Sequence, residues 1–147
     1  MSGVDFSTDD LLDQARGNQT AIWYLAVRRA RELDGTVDEW AQYVADDFAP
    51  SWDEMGVAAS ALEVARGAAL NMATTADMTP TDVDGDDDRA TVTCDGPEEE
   101  WLDGTGVALE DLDRVNEVLF GAIADRRGLA YVQERSGSTL RMTFSRR

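Results

Sequence analysis

The chain has 147 residues, 13 basic against 30 acidic side chains, no histidine and a formal charge of −17. A hydrophobic content of 43% at this length suffices for one packed core. The charge speaks against nucleic acid and against an anionic bilayer, both of which it repels, and the lack of histidine excludes a serine–histidine triad, an imidazole acid–base catalyst and a histidine-ligated zinc.

No stretch approaches the 18 consecutive apolar residues of a membrane span. Residues 1–10 lack a basic segment followed by an apolar one, so no secretory signal is expected. The single Cys94 has no partner within the chain for a disulfide, which fits a reducing cytoplasm. All 13 basic residues are arginine. This composition fits a high-salt cytoplasm, where screened carboxylates keep a protein soluble, and equally a GC-rich genome.

The chain reads as a single domain over 1–147, with a helical front half at 7–75 and a ββαββ back half at 79–145. Residues 1–6 read as a tail. Ser7, Thr8, Asp9 and Asp10 then give a hydroxyl cap and acids near the positive end of a helix dipole. Leu11, Leu12, Ala15, Ile22, Leu25, Ala26 and Leu33 follow at helical spacing, mostly on one face, with a break expected at Gly17-Asn18 and a stop at Asp34-Gly35. Thr36 to Glu39 forms a capping box for a second helix bearing Val37, Trp40, Ala41, Val44 and Phe48, which Pro50 is expected to end. Ser51 to Glu54 forms another capping box, predicting a third helix to about Ala73. Its apolar face is Met55, Ala58, Ala59, Leu62, Ala65, Ala69 and Met72. Gly56, Ser60, Glu63 and Gly67 form another stripe, whose small residues leave room for a close backbone or a ligand.

From Thr79-Pro80 the period shortens to two. Strands are predicted at 81–83 and 89–94 around an acidic turn, a loop at 95–106, and a fourth helix with Leu109, Leu112, Val115, Leu119 and Ile123 inward. Gly128 suits the helix end, and strands at 129–135 and 139–144 flank a Ser-Gly-Ser turn. The fold class is therefore α+β, three N-terminal helices followed by a ββαββ unit with an antiparallel sheet.

Several groups are candidates for chemistry. Cys94 ends a strand, where a thiolate would be presented from a rigid platform; burial as a small hydrophobe beside Ala90 and Val92 is the alternative. Asp95, Glu98, Glu99, Glu100 and Asp103 crowd one loop, where a raised carboxyl pKa would supply a general acid. The candidate catalytic set is Cys94, Asp95 and Glu98. Trp23 and Tyr43 lie off the main stripes; with Trp101 they are candidates to line a ligand pocket, a dimer interface and core packing being the alternatives, and Arg28 is the candidate anchor for an anion. Residues 82–93 imitate a calcium loop but place Asp87 where glycine is needed and Thr93 where glutamate is needed. No metal or cofactor site is expected.

One pattern joins these features. A helix with Trp23-Tyr24-Leu25-Ala26, a strand ending Val92-Thr93-Cys94 before Gly96-Pro97, a helix, and a closing strand Leu140-Arg141-Met142-Thr143-Phe144 resemble the L-2-amino-thiazoline-4-carboxylic acid hydrolase family. Related layouts occur in 4-vinyl-reductase-like ligand domains. The resemblance implies a helical front half, an α/β back half and a small-molecule pocket between them. It also implies a cysteine at the Cys94 position with further cysteines in the last helix and strand. Here the closing strand carries Leu140 and Met142 instead. The expected function is binding or transforming a small organic molecule, hydrolase-like, in that pocket. The rival expectation is a non-catalytic interaction module, with its acidic surface on a basic partner and helix faces forming a homodimer.

Overall fold

The structure, a computed structural model, describes residues 5–54 and 59–147. It is an α+β fold whose described residues form four α-helices and one four-stranded antiparallel sheet. The helices are α1 (Thr8–Asp34), α2 (Asp38–Glu54), α3 (Ala61–Ala73) and α4 (Leu109–Asp125). The strands are β1 (Thr79–Gly85), β2 (Arg89–Asp95), β3 (Leu129–Ser136) and β4 (Thr139–Arg146), in the order β1-β2-β4-β3.

Strand alternation sets the layers. Ala90, Val92 and Cys94 of β2 share a face with Leu140, Met142 and Phe144 of β4, and all six are buried. Thr91, Thr93 and Thr143 occupy the other face, where Thr91 and Thr143 hydroxyls bond at 3.1 Å. Helices α3 and α4 cover the apolar face, joined in its core by Trp52 of α2. Phe120 stands at the centre, with ring centroids 6.2 Å from Trp52, 6.2 Å from Tyr131 and 6.5 Å from Phe144. A second cluster forms where Val27 and Ala30 of α1 meet Val37 just before α2, Ala41 of α2, Leu112 and Val115 of α4, and Leu102.

The helical front half differs from expectation in three ways. First, α1 is continuous through Gly17 and Asn18. One glycine costs a helix only about 1 kcal/mol, and the Gln14 amide bonds the Asn18 side chain across the site at 2.9 Å. Second, α2 runs through Pro50 to Glu54. Ala41, Ala45, Ala49 and Trp52 form one buried stripe, and keeping Trp52 in the core offsets the lost backbone bond. Third, Ser51 to Glu54 therefore ends α2 and does not open α3. Asp53 pairs with Arg126 at 2.6 Å and Arg127 at 3.0 Å, tying α2 to the end of α4. Ser60 caps α3 by accepting from the Glu63 amide at 3.1 Å.

The small-residue stripe serves packing. A Cβ on Gly67 would lie 2.8 Å from the Trp52 ring, so glycine here admits the indole. Gly56, Met55 and Ala58, also assigned to this helix in the sequence, lie outside the described residues.

Helix α1 turns its predicted apolar face the wrong way. Leu11, Leu12, Ile22, Leu25 and Leu33 are exposed, while Val27 and Ala30 are buried and Trp23 packs on Trp40 with ring centroids 5.1 Å apart. Polar bonds tether the helix. Arg16 donates to the Thr75 carbonyl oxygen (3.0 and 3.3 Å), and Thr20 Oγ1 accepts from the Ala76 amide (2.8 Å). Arg31 forms a two-pronged pair with the buried Asp111 of α4. No described helix is long and apolar enough to cross a membrane.

Candidate functional site

A cavity of about 700 Å³ lies between α1, the end of α3 and α4. Helix α1 contributes Gln19, Ile22 and Trp23, and α2 contributes Phe48. The end of α3 and the segment after it supply Asn71, Met72, Thr74, Thr75, Asp77 and Met78. Leu112, Asp113, Asn116 and Leu119 of α4, Pro97 and Arg135 of β3 complete the wall. Half the lining residues are hydrocarbon, indole or thioether and half are polar, so the wall offers both an apolar surface and orienting groups, as a small-molecule site does.

The charged groups of the wall are fixed by bonds. Tyr24 Oη donates to Asp77 Oδ2 at 2.5 Å. Burial, then the bond and charge of Asp77, push the phenol far above its usual range, so it stays a neutral donor. Arg135 Nε and Nη2 donate to the two oxygens of Asp113 at 2.6 and 2.7 Å, and its Nη1 donates to the Gly96 carbonyl oxygen at 3.2 Å. The forked geometry fixes both side chains.

Of the residues predicted for ligand binding, Trp23 alone lines the cavity. Tyr43 is 75% exposed and Trp101 63% exposed, both away from it. Arg28 donates to the Thr105 carbonyl oxygen at 3.0 Å and approaches Glu32 at 3.9 Å, so its charge braces α1 against the loop. Arg29 likewise pairs with Glu32 at 3.5 Å.

The predicted catalytic set is not assembled there either. Cys94 is fully buried among the core residues, continuing the Ala90–Val92 face. Burial, then the neighbouring Asp95 charge, push its thiol up to about 11, which suppresses the thiolate a nucleophile requires. Asp95 is exposed and accepts from the Thr139 hydroxyl at 3.3 Å. Glu98 is exposed at the entry to a short 3-10 turn, Glu99–Leu102. Neither lines the cavity, whereas Pro97, between them in sequence, does.

The acidic hairpin tip is a bonded turn. Asp86 Oδ1 accepts from the Asp88 and Arg89 amides at 2.9 and 3.0 Å, which holds its carboxyl below the usual range. Among the described residues, no group of three or more cysteine or carboxylate side chains is placed to hold a metal ion.

Sequence reasoning missed Asp77, Asp113, Asn116 and Arg135. Two had a visible signal. Asn116 sits four residues after Leu112 and three before Leu119, a polar residue inside the buried stripe of α4. Arg135 ends the inward series Leu129, Tyr131, Gln133 on β3. Asp77 carried none, because its partner Tyr24 is 53 residues away.

Compared with protein-family models, curated proteins and solved structures, the chain finds no match.

Proposed function

We propose that this protein binds a small organic molecule in the cavity between α1, α3 and α4. The observation that carries this reading is the cavity itself. Its volume of about 700 Å³ falls in the range of roughly 300–1,000 Å³ that small-molecule sites occupy. Its apolar wall accepts an organic body, and its bonded polar groups need no rearrangement to orient one. The placement of Cys94, Asp95 and Glu98 away from the wall favours binding over the hydrolytic step that the resemblance implies.

A library of small aromatic and alicyclic compounds, screened by thermal shift, tests the reading. Binders should raise the melting temperature of the native protein. Asn116→Phe, which fills the cavity from α4, should abolish that rise while leaving the fold intact. Compounds that stabilise both proteins equally would place binding elsewhere.

A second reading concerns self-association. On α1, Leu11, Ala15, Ile22, Leu25 and Leu33 form an outward stripe opposite the buried Val27. Two copies packed antiparallel on this stripe would bury its apolar side chains against one another. Light scattering after size exclusion should give twice the chain mass, falling to one chain mass in Leu25→Asp. A native protein that stays monomeric at high salt, where the −17 charge is screened, would contradict it.

A further inference from the structure

Three charged side chains line the cavity: Asp77, Asp113 and Arg135. Two of them cancel. Arg135 engages both oxygens of Asp113 and also the Gly96 carbonyl oxygen. Asp77 is left with its charge. Tyr24 donates a neutral hydroxyl to one carboxylate oxygen, which satisfies a lone pair without supplying a positive charge. Among the described residues, none of the ion pairs involves Asp77. Arg16, on the same flank, gives its guanidinium to the Thr75 carbonyl oxygen instead.

The carboxylate is half-buried, and it shares the wall with Trp23, Met72 and Met78. A half-desolvated charge beside apolar surface gains most from a counter-ion that also covers that surface. A hydrated metal ion does not cover it, and an anion is repelled. An indole face adds attraction for a cation, and thioethers pack on irregular hydrocarbon.

We infer that the ligand is an organic cation, a protonated amine on an apolar body, with its ammonium at Asp77 and its body against Trp23, Met72 and Met78. This rests on the cavity being the ligand site, and the experiment separates the two ideas.

The test uses three probes with one body and different charge: 4-phenylbutylamine, 4-phenylbutan-1-ol and 4-phenylbutyrate. Affinities are measured by calorimetry at constant salt on the native protein, on Asp77→Asn and on Asp47→Asn. The last removes an exposed carboxylate of α2 and so controls for general attraction by an acidic surface. The amine should bind roughly tenfold more tightly than the alcohol, in keeping with one charged hydrogen bond. The carboxylate should bind more weakly than either.

Asp77→Asn keeps an oxygen for the Tyr24 hydroxyl and should bring the amine down to the alcohol's affinity, with the alcohol unchanged. Asp47→Asn should keep the native ratio. Equal affinities for amine and alcohol on the native protein, which needs no variant to fold, would overturn the inference and leave the cavity as a binding site. So would a preference that survives in Asp77→Asn. Failure of all three probes to bind the native protein would overturn the inference and the proposed function together.

Discussion

Replacing Gly96 with alanine should destabilise the protein by about 3 kcal/mol or more. Two costs add. Gly96 has φ of +102°, outside the comfortable range of a residue with a side chain, and such a conformation costs about 1–2 kcal/mol. A Cβ there would also lie 2.0 Å from the Asp77 carbonyl oxygen, so the backbone must shift. Relief of such overpacking typically costs about 1–3 kcal/mol. The segment has little freedom to move. The Gly96 amide donates to the Ser138 carbonyl oxygen at 2.7 Å, and its own carbonyl oxygen accepts from Arg135. Because Asp77 and Pro97 both line the cavity, the variant should lose ligand binding as well as stability. Gly104→Ala is the control. It also has positive φ, at +79°, but nothing lies within 4 Å of the added Cβ, so only the conformational cost remains. Urea unfolding of the two variants checks the comparison. Equal losses would mean that the contact with Asp77 carries no energy.

The second large effect is alkaline destabilisation. Cys94 is pushed from an ordinary value near 9 up to about 11 by burial first and the Asp95 charge second. Burial also raises the phenols of Tyr24 and Tyr131. In each case the fold holds a proton that the unfolded chain releases at lower pH. The resulting stability is fully present below about pH 9 and is lost as pH rises through the folded values. For Cys94 alone the loss between pH 8 and pH 10.5 is about 2 kcal/mol, and the tyrosines add to it with the same sign. Urea midpoints at the two pH values, at fixed salt, measure the fall. Cys94→Ser, which takes the thiol out of the titration, should show a smaller fall. A midpoint that is flat to pH 10.5 would mean that the thiol and phenols ionise as freely in the fold as outside it.

The parts of the fold that follow from local pattern were legible in the sequence. The buried stripe of α4 and the alternation of Ala90, Val92 and Cys94 against Thr91 and Thr93 depend only on period and polarity. So do the acids and hydroxyl that start α1 and the glycine at 128 that follows α4. The class, α+β with an antiparallel sheet, follows from these. What the sequence concealed depends on which partner wins a surface. Helix α1 carries two candidate faces, and the leucine-rich one lost. Trp23, Val27 and Ala30 fit the groove left by α2 and α4, and Arg16, Thr20 and Arg31 find bonding partners on that same side. Pro50 is a reliable breaker in isolation, but Trp52 two residues later fills the space beside Phe120, and the helix is carried through to place it. The candidate site was the least legible. Trp23 was visible as an aromatic off the stripe, whereas Tyr24 with Asp77 and Asp113 with Arg135 are pairs made by the fold across 53 and 22 residues. Cys94 shows the reverse: a strand-end cysteine before a loop suggests reactivity, and the sheet turns it inward.

The central claim, that the space between α1, α3 and α4 is where a ligand sits, is tested most directly by methionine-methyl NMR during titration with 4-phenylbutan-1-ol. Met72 and Met78 line the cavity, while the fully buried Met142 is not among its lining residues. The methyl signals of Met72 and Met78 should move saturably and together, with the Trp23 indole proton following and Met142 still. Movement of Met142 alone, or no movement at Met72 and Met78 when the compound is bound, would contradict the account.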